Sequence, residues 1–163
     1  MIRKHKNFAR PRKAFEISRI QSENQLVEKY GLKNKKEIWK TIAKVSYFRH
    51  RAMDLAKLSI EEQKVLFNKL NALGLKVSSI ADVLALNVEN LLERRLQTVV
   101  SQKKLASTAK HARQLITHKR ILIDGRVCSV PSYIVSLAEE SKISVKPKES
   151  KAKKEEVKAE VAK

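Results

Sequence analysis

The chain has 163 residues, with 36 Lys and Arg against 17 Asp and Glu and a net charge of +19, far beyond what solubility alone favours. A polyanion is therefore the natural partner, and no run reaches the roughly 18 apolar residues of a spanning helix. A single cysteine, Cys128, excludes an internal disulfide framework and a Cys-rich zinc site, while three glycines and three prolines favour helices over elaborate loops.

The charge is uneven along the chain. Residues 1–60 hold 16 basic and 5 acidic side chains, residues 61–90 hold 3 and 4, and residues 91–143 hold 10 and 4. A nearly neutral middle thus separates two cationic regions. Met1 to Phe15 reads as a basic extended arm that stays disordered until bound, with Arg3, Lys4, Lys6, Arg10, Arg12 and Lys13 close together and Pro11 breaking any helix. No apolar core follows these charges, so a secretory signal is not expected and the chain reads as intracellular.

Arg19 to Tyr30 has weak helical spacing and stops at Gly31. Asn34 is placed to cap the next helix, with Glu37 as its capping-box partner, and the pattern runs to about Leu58. At about 100 degrees per residue, Ile38, Ile42, Val45, Ala52 and Ala56 share one face, with Phe48 and Leu55 at its margin. Lys36, Lys40, Lys44, Tyr47 and Arg51 gather opposite, a stripe suited to tracking phosphates with an aromatic to lie against a sugar or base. The alternative is an ordinary solvated face. Arg49 lands on the apolar side without explanation, and Trp39, near the apolar arc, reads as core rather than as a stacking platform.

Ser59-Ile60-Glu61-Glu62 predicts a capping box opening a helix with Leu66, Leu70 and Leu73 inward and Gly74 just past its end. Ser79 caps a further short helix. Asn87 caps a helix whose apolar side is Leu91, Leu92, Leu96, Val99 and Val100, and Ser107 or Thr108 caps another, with Ala112, Leu115 and Ile116 inward. The period then changes from about 3.6 to 2: residues 120–123 and 126–130 are β-rich runs about a two-residue Asp124-Gly125 turn, which predicts a hairpin. Pro131 ends the second strand, and residues 132–135 return toward the core. The expected fold is mainly α with a small β-hairpin, an α+β arrangement. It divides into an arm over 1–18, a helical RNA-binding domain over 19–90, a module of two helices and a hairpin over 91–143, and a disordered Lys/Glu/Ala tail over 144–163.

The runs LLERRLQTVV (91–100), ASTAKHARQLITH (106–118) and RILIDGRVCSVPSYIV (120–135), with KYGLKNKKEIWK (29–40) upstream, resemble the universal small-subunit ribosomal protein four family in its archaeal and eukaryotic branch, over about residues 8–143. The resemblance implies a non-enzymatic constituent of the cytoplasmic small ribosomal subunit. It further implies a primary binder of small-subunit rRNA that nucleates assembly at a multi-helix junction, touches neighbouring small-subunit proteins, lies near where messenger RNA enters, and bears on translational accuracy. Carried over by position, the RNA surface comprises Arg94, Arg95 and Gln97, then Lys103, Lys104, Ser107, His111, Arg113, Gln114, His118 and Lys119, with Arg120 and Arg126 flanking the hairpin turn. Relatives often have glycine where Lys104 and Lys119 stand, so either those helix caps are rebuilt or added phosphate contact offsets the strain. Bacterial relatives often carry a zinc-binding cysteine cluster that this chain lacks, so no metal and no cofactor are expected. His118 could equally bond a free helix-end carbonyl, and Cys128 reads as an inert thiol.

Three other readings compete. The chain resembles, more distantly, a small-subunit processing factor that never enters the mature ribosome. The same module is appended to pseudouridine synthases, although no Asp-centred catalytic motif is present here. The helix pair could also read DNA as a helix-turn-helix.

Overall fold

A computed structural model describes residues 7–147. Eight helices and three strands follow in chain order: α1 Ile17–Tyr30, α2 Lys35–Leu55, α3 Ile60–Ala72, α4 Ile80–Ala85, α5 Val88–Glu93, α6 Leu96–Gln102, α7 Ala109–Thr117, β1 Ile121–Ile123, β2 Arg126–Val127, α8 Leu137–Glu140 and β3 Ile143–Val145. The long α2 is the spine, packing against α1, α3, α4 and α5, while α6 and α7 pack on each other and α7 also touches α1.

Local chemistry sets most of these boundaries. Asn34 accepts from the Lys36 N–H at 3.1 Å, so the predicted cap forms. Glu37 does not complete a capping box, because its carboxylate is drawn to Arg95 and Arg113 instead. The helix ends at Leu55 rather than Leu58, where Gln63 Nε2 donates to the freed carbonyls of Leu55 and Leu58. Ser59 makes no side-chain cap bond, so the box expected there is absent. Ser79 does form one with Asp82. Hydrogen bonds from Ser78 and Ser79 hold the Asp82 carboxyl down at about 2.

On α2 the buried face is Ile38, Val45, Phe48, Ala52 and Leu55. Phe48 and Leu55 are thus central, whereas Ile42 is 43% exposed and Ala56 lies outside. Val45, Phe48, Ala52 and Leu55 meet Leu66 and Leu70 of α3, Val83 of α4 and Leu91 of α5 in one core. Arg49, unexplained by periodicity, donates to the Leu86 carbonyl at 2.7 Å. A second core joins Leu96, Val99 and Val100 to Ala112, Ile116, Ile121 and Val135, and a third holds Tyr30, Leu32, Ile38 and Leu92. Trp39 flanks that third core and donates to Glu23 Oε1 at 2.9 Å.

The continuous helix expected from Asn87 through Val100 is interrupted at Arg94 and Arg95. Arg95 is extended (ψ 142°) and bridges antiparallel to Ile134. Leu96 N–H donates to the Tyr133 carbonyl at 2.7 Å, and Val135 N–H to that of Arg94 at 3.0 Å. Pairing with a distant segment therefore outcompetes two residues of helix.

The hairpin forms about the predicted turn, but its second strand ends at Val127 rather than running on to Val130. Ile123 faces Arg126, and Asp124 and Gly125 both have positive φ, 50° and 75°, as the tight two-residue turn demands. A third strand was not anticipated: β3 pairs antiparallel with β1 to give the order β2-β1-β3, so Ser144 and Val145 belong to the module rather than to a tail. Residues 148–163 of the expected tail lie outside the described residues, as do Arg3, Lys4 and Lys6. The described part of the arm packs on the protein, Phe8 stacking on Trp39 with centroids 6.2 Å apart and Lys36 Nζ lying 4.8 Å from the Phe8 ring.

Candidate RNA interface

The cationic side chains divide into an inward set and an outward set. Arg95, 4% exposed, donates through Nη2 to Glu37 Oε2 at 2.6 Å. Arg113 Nη2 reaches Glu37 Oε1 at 2.8 Å, and its Nη1 reaches Gln97 Oε1 at 3.3 Å. Gln97, 1% exposed, donates to the carbonyls of Tyr30, Gly31 and Ala109 at 3.1, 2.9 and 3.0 Å. Burial pushes the Glu37 carboxyl up, but the two guanidinium groups outweigh it and hold the group below its ordinary range. One carboxylate on α2 thus ties α6 and α7 to the helical domain.

Arg94 is also turned inward. It donates to Glu140 Oε2 at 2.8 Å and to the Val135 carbonyl at 3.0 Å, and it lies over Gly74, where an added Cβ would come within 2.8 Å of its Cζ. Lys103 Nζ donates to the Glu140 carbonyl. Arg94, Arg95 and Gln97, carried over as RNA-facing, therefore hold the module together, and Arg113 is half-buried in the same network. Their terminal guanidinium and amide groups bond within the protein, while Nε of Arg94 and of Arg95 is buried without a partner, and sequence position carries no sign of this inward placement.

The outward set is different. Lys36, Lys40, Lys44, Tyr47 and Arg51 are exposed along α2, as expected. On the module Lys104, Ser107, His111, Gln114, His118, Lys119 and Arg126 are exposed, Arg120 is half-exposed with a 3.3 Å bond to the Lys146 carbonyl, and Arg10, Arg12 and Lys13 are exposed in the arm. Ser107 Oγ contacts His111 Nδ1 at 3.2 Å, and Thr108 rather than Ser107 caps α7. None of the outward lysines and arginines joins an ion pair among the described residues, whereas Arg94, Arg95 and Arg113 all do.

Lys104 and Lys119 both keep φ at 57°. Each sits in a closed helix-end motif: Leu105 N–H returns to the Val100 carbonyl at 3.2 Å, and Arg120 N–H to that of Leu115 at 3.0 Å. The caps are not rebuilt. They are left-handed caps filled by lysine, which point cationic side chains into solvent at the ends of α6 and α7.

Lys69 was missed. It projects from α3 toward the same stripe, and crowding by the protein together with its charge lowers the Lys44 ammonium from its ordinary value. Its spacing from Leu66 puts it at the margin of the apolar face, and only the packing of α3 on α2 brings it near Lys44. Phe8 was missed too, since an arm residue carries no periodic signal.

Of the outward residues, Lys40, Lys44 and Tyr47 line an open cleft of about 900 Å³ between α2, the 131–134 segment and arm residues 7–9. No helix among the described residues is long and apolar enough to cross a membrane, and no metal-sized cluster of His, Cys, Asp and Glu occurs among them.

Comparison with known proteins agrees with this geometry. Residues 94–141 match the S4 domain. The chain is 45% identical to the small ribosomal subunit protein uS4 of Thermoplasma acidophilum over 86% of this chain and 75% of that one. It is 47% identical to that of Ignicoccus hospitalis over 79% and 81%, and 42% identical to that of Methanothermobacter thermautotrophicus over 87% and 86%. With an S4 domain joined to a helical domain and this degree of identity over most of its length, the chain belongs to the small ribosomal subunit protein uS4 family.

Proposed function

We propose that the chain is a structural, non-enzymatic constituent of the small ribosomal subunit that binds its rRNA through the outward cationic set. The relatives are named as small-subunit proteins, which favours this over an assembly factor that leaves before maturation. The observation that carries the reading is the division of charge: Arg94, Arg95 and Arg113 are paired with carboxylates, while Lys36, Lys40 and Lys44 of α2 and Lys104 and Lys119 at the ends of α6 and α7 face solvent without an ion pair. Unpaired cations at the surface are what phosphate neutralisation requires.

Two cationic surfaces on one rigid frame suit a site where several RNA helices converge, with binding there nucleating assembly and neighbouring small-subunit proteins joining afterwards. Backbone charge sets affinity at such a site, and RNA shape sets specificity. Proximity to messenger RNA where it enters the subunit, a bearing on decoding accuracy, and a cytoplasmic location follow from that placement. Crosslinking the chain to cellular RNA and mapping the sites tests the reading. One dominant footprint at a small-subunit rRNA junction is expected, and reads scattered over transfer and messenger RNA would overturn it.

A further inference from the structure

The cleft between α2 and the 131–134 segment is of the size that takes small organic ligands, at about 900 Å³. The Glu37–Arg95–Arg113 cluster lines it, Lys40, Lys44 and Tyr47 form its α2 wall, and Pro131 and Ile134 are apolar members of the lining. Its charge is lopsided: four cations face one carboxylate that two arginines already neutralise. Arg95 is buried, yet its Nε–H has no hydrogen-bond partner. Tyr47, an aromatic with no role in any of the three cores, is 56% exposed.

A ligand matched to this cleft carries negative charge at its mouth and a flat, weakly polar body within. Inorganic phosphate lacks the body, and a paired base has no free face, since stacking covers both sides of its ring. An unpaired nucleotide has both features. We propose that the cleft receives one unpaired nucleotide of bound RNA, its base against Tyr47 and its flanking phosphates on Lys40 and Lys44. This inference rests on the RNA-binding reading above and narrows it to a subsite. Lys40 and Lys44 stand one helical turn apart, so they follow a backbone running along α2.

The test uses the full chain and two RNA hairpins with the same stem, one fully paired and one with a single unpaired adenosine, the adenosine also replaced by 2-aminopurine as a stacking reporter. Wild-type protein should bind the bulged hairpin about tenfold more tightly, with quenched 2-aminopurine emission. Tyr47→Leu should abolish the preference and the quenching, and Tyr47→Phe should retain both. Equal wild-type affinities, or a preference that survives Tyr47→Leu, would overturn the subsite while leaving RNA binding intact. Failure to bind either hairpin would overturn the RNA-binding reading itself, and the subsite with it.

Discussion

Replacing Glu37 by alanine removes the acceptor for three guanidinium hydrogen bonds, one at 2.6 Å from Arg95 and two, at 2.8 and 3.2 Å, from Arg113. Arg95 cannot compensate by turning to water, because its side chain is 5% exposed. Arg113, at 22%, can reach solvent and keeps Gln97 Oε1 as a partner. Orphaning one partner of a buried pair costs about 3–5 kcal/mol, and the freedom of Arg113 places the loss near the lower end, at about 3 kcal/mol. For a chain of this length that is a fall of about 6–12 °C in Tm. Urea unfolding followed by circular dichroism measures it directly. In a double-mutant cycle, Arg95→Met should restore part of the stability lost in Glu37→Ala, because the buried charge is removed along with its partner. If Glu37→Ala lay within about 0.5 kcal/mol of wild type, the cluster would not be the tie between α2 and the module.

The same carboxylate sets an acid limit. Its folded pKa is depressed below 4.5, so its contribution is complete above that value and is lost as pH falls through the folded one. Glu37→Gln should flatten the acid limb of stability against pH, and Asp82→Asn should flatten it between 3.8 and about 2. Lys104→Gly and Lys119→Gly should each raise stability by about 0.5–1 kcal/mol by relieving the positive φ of 57°. Each should also lower the salt slope of RNA binding by about one, and a slope unchanged in both would remove these caps from the RNA surface. Gly31→Ala should cost about 2 kcal/mol or more in urea unfolding, because φ is 59° and the new Cβ would meet Ala109 Cβ and Lys110 N at 3.0 Å.

The elements most legible in the sequence are those governed by neighbours along the chain. Asn34 caps α2, Gly31 and Gly74 close helices with positive φ, and Asp124-Gly125 turns the hairpin. Each rests on local hydrogen bonds or backbone freedom. What escaped depends on distant segments. The break at Arg94–Arg95 is imposed by residues 133–135, and β3 becomes a strand only because β1 offers an edge. Ser144 and Val145, beside a Lys/Glu/Ala tract, carry too short an apolar signal to announce it.

The site shows the same divide. Periodicity separated the cationic stripe of α2 from its buried face, so Lys36, Lys40, Lys44, Tyr47 and Arg51 stand where expected. Within the module, family position alone could not separate an arginine that faces solvent from one that meets Glu37. Their distinction lies in burial and in a carboxylate 58 residues from Arg95. Neither is written in spacing.

Titration of the full chain onto small-subunit rRNA at ionic strengths from about 50 to 200 mM counts the phosphates its surface engages. Neutralisation by the outward lysines and arginines predicts about six to ten, and with them a loss of about 10³- to 10⁵-fold in affinity on the duplex calibration. A slope equivalent to one or two charges would contradict it, leaving those side chains as a solubilising coat.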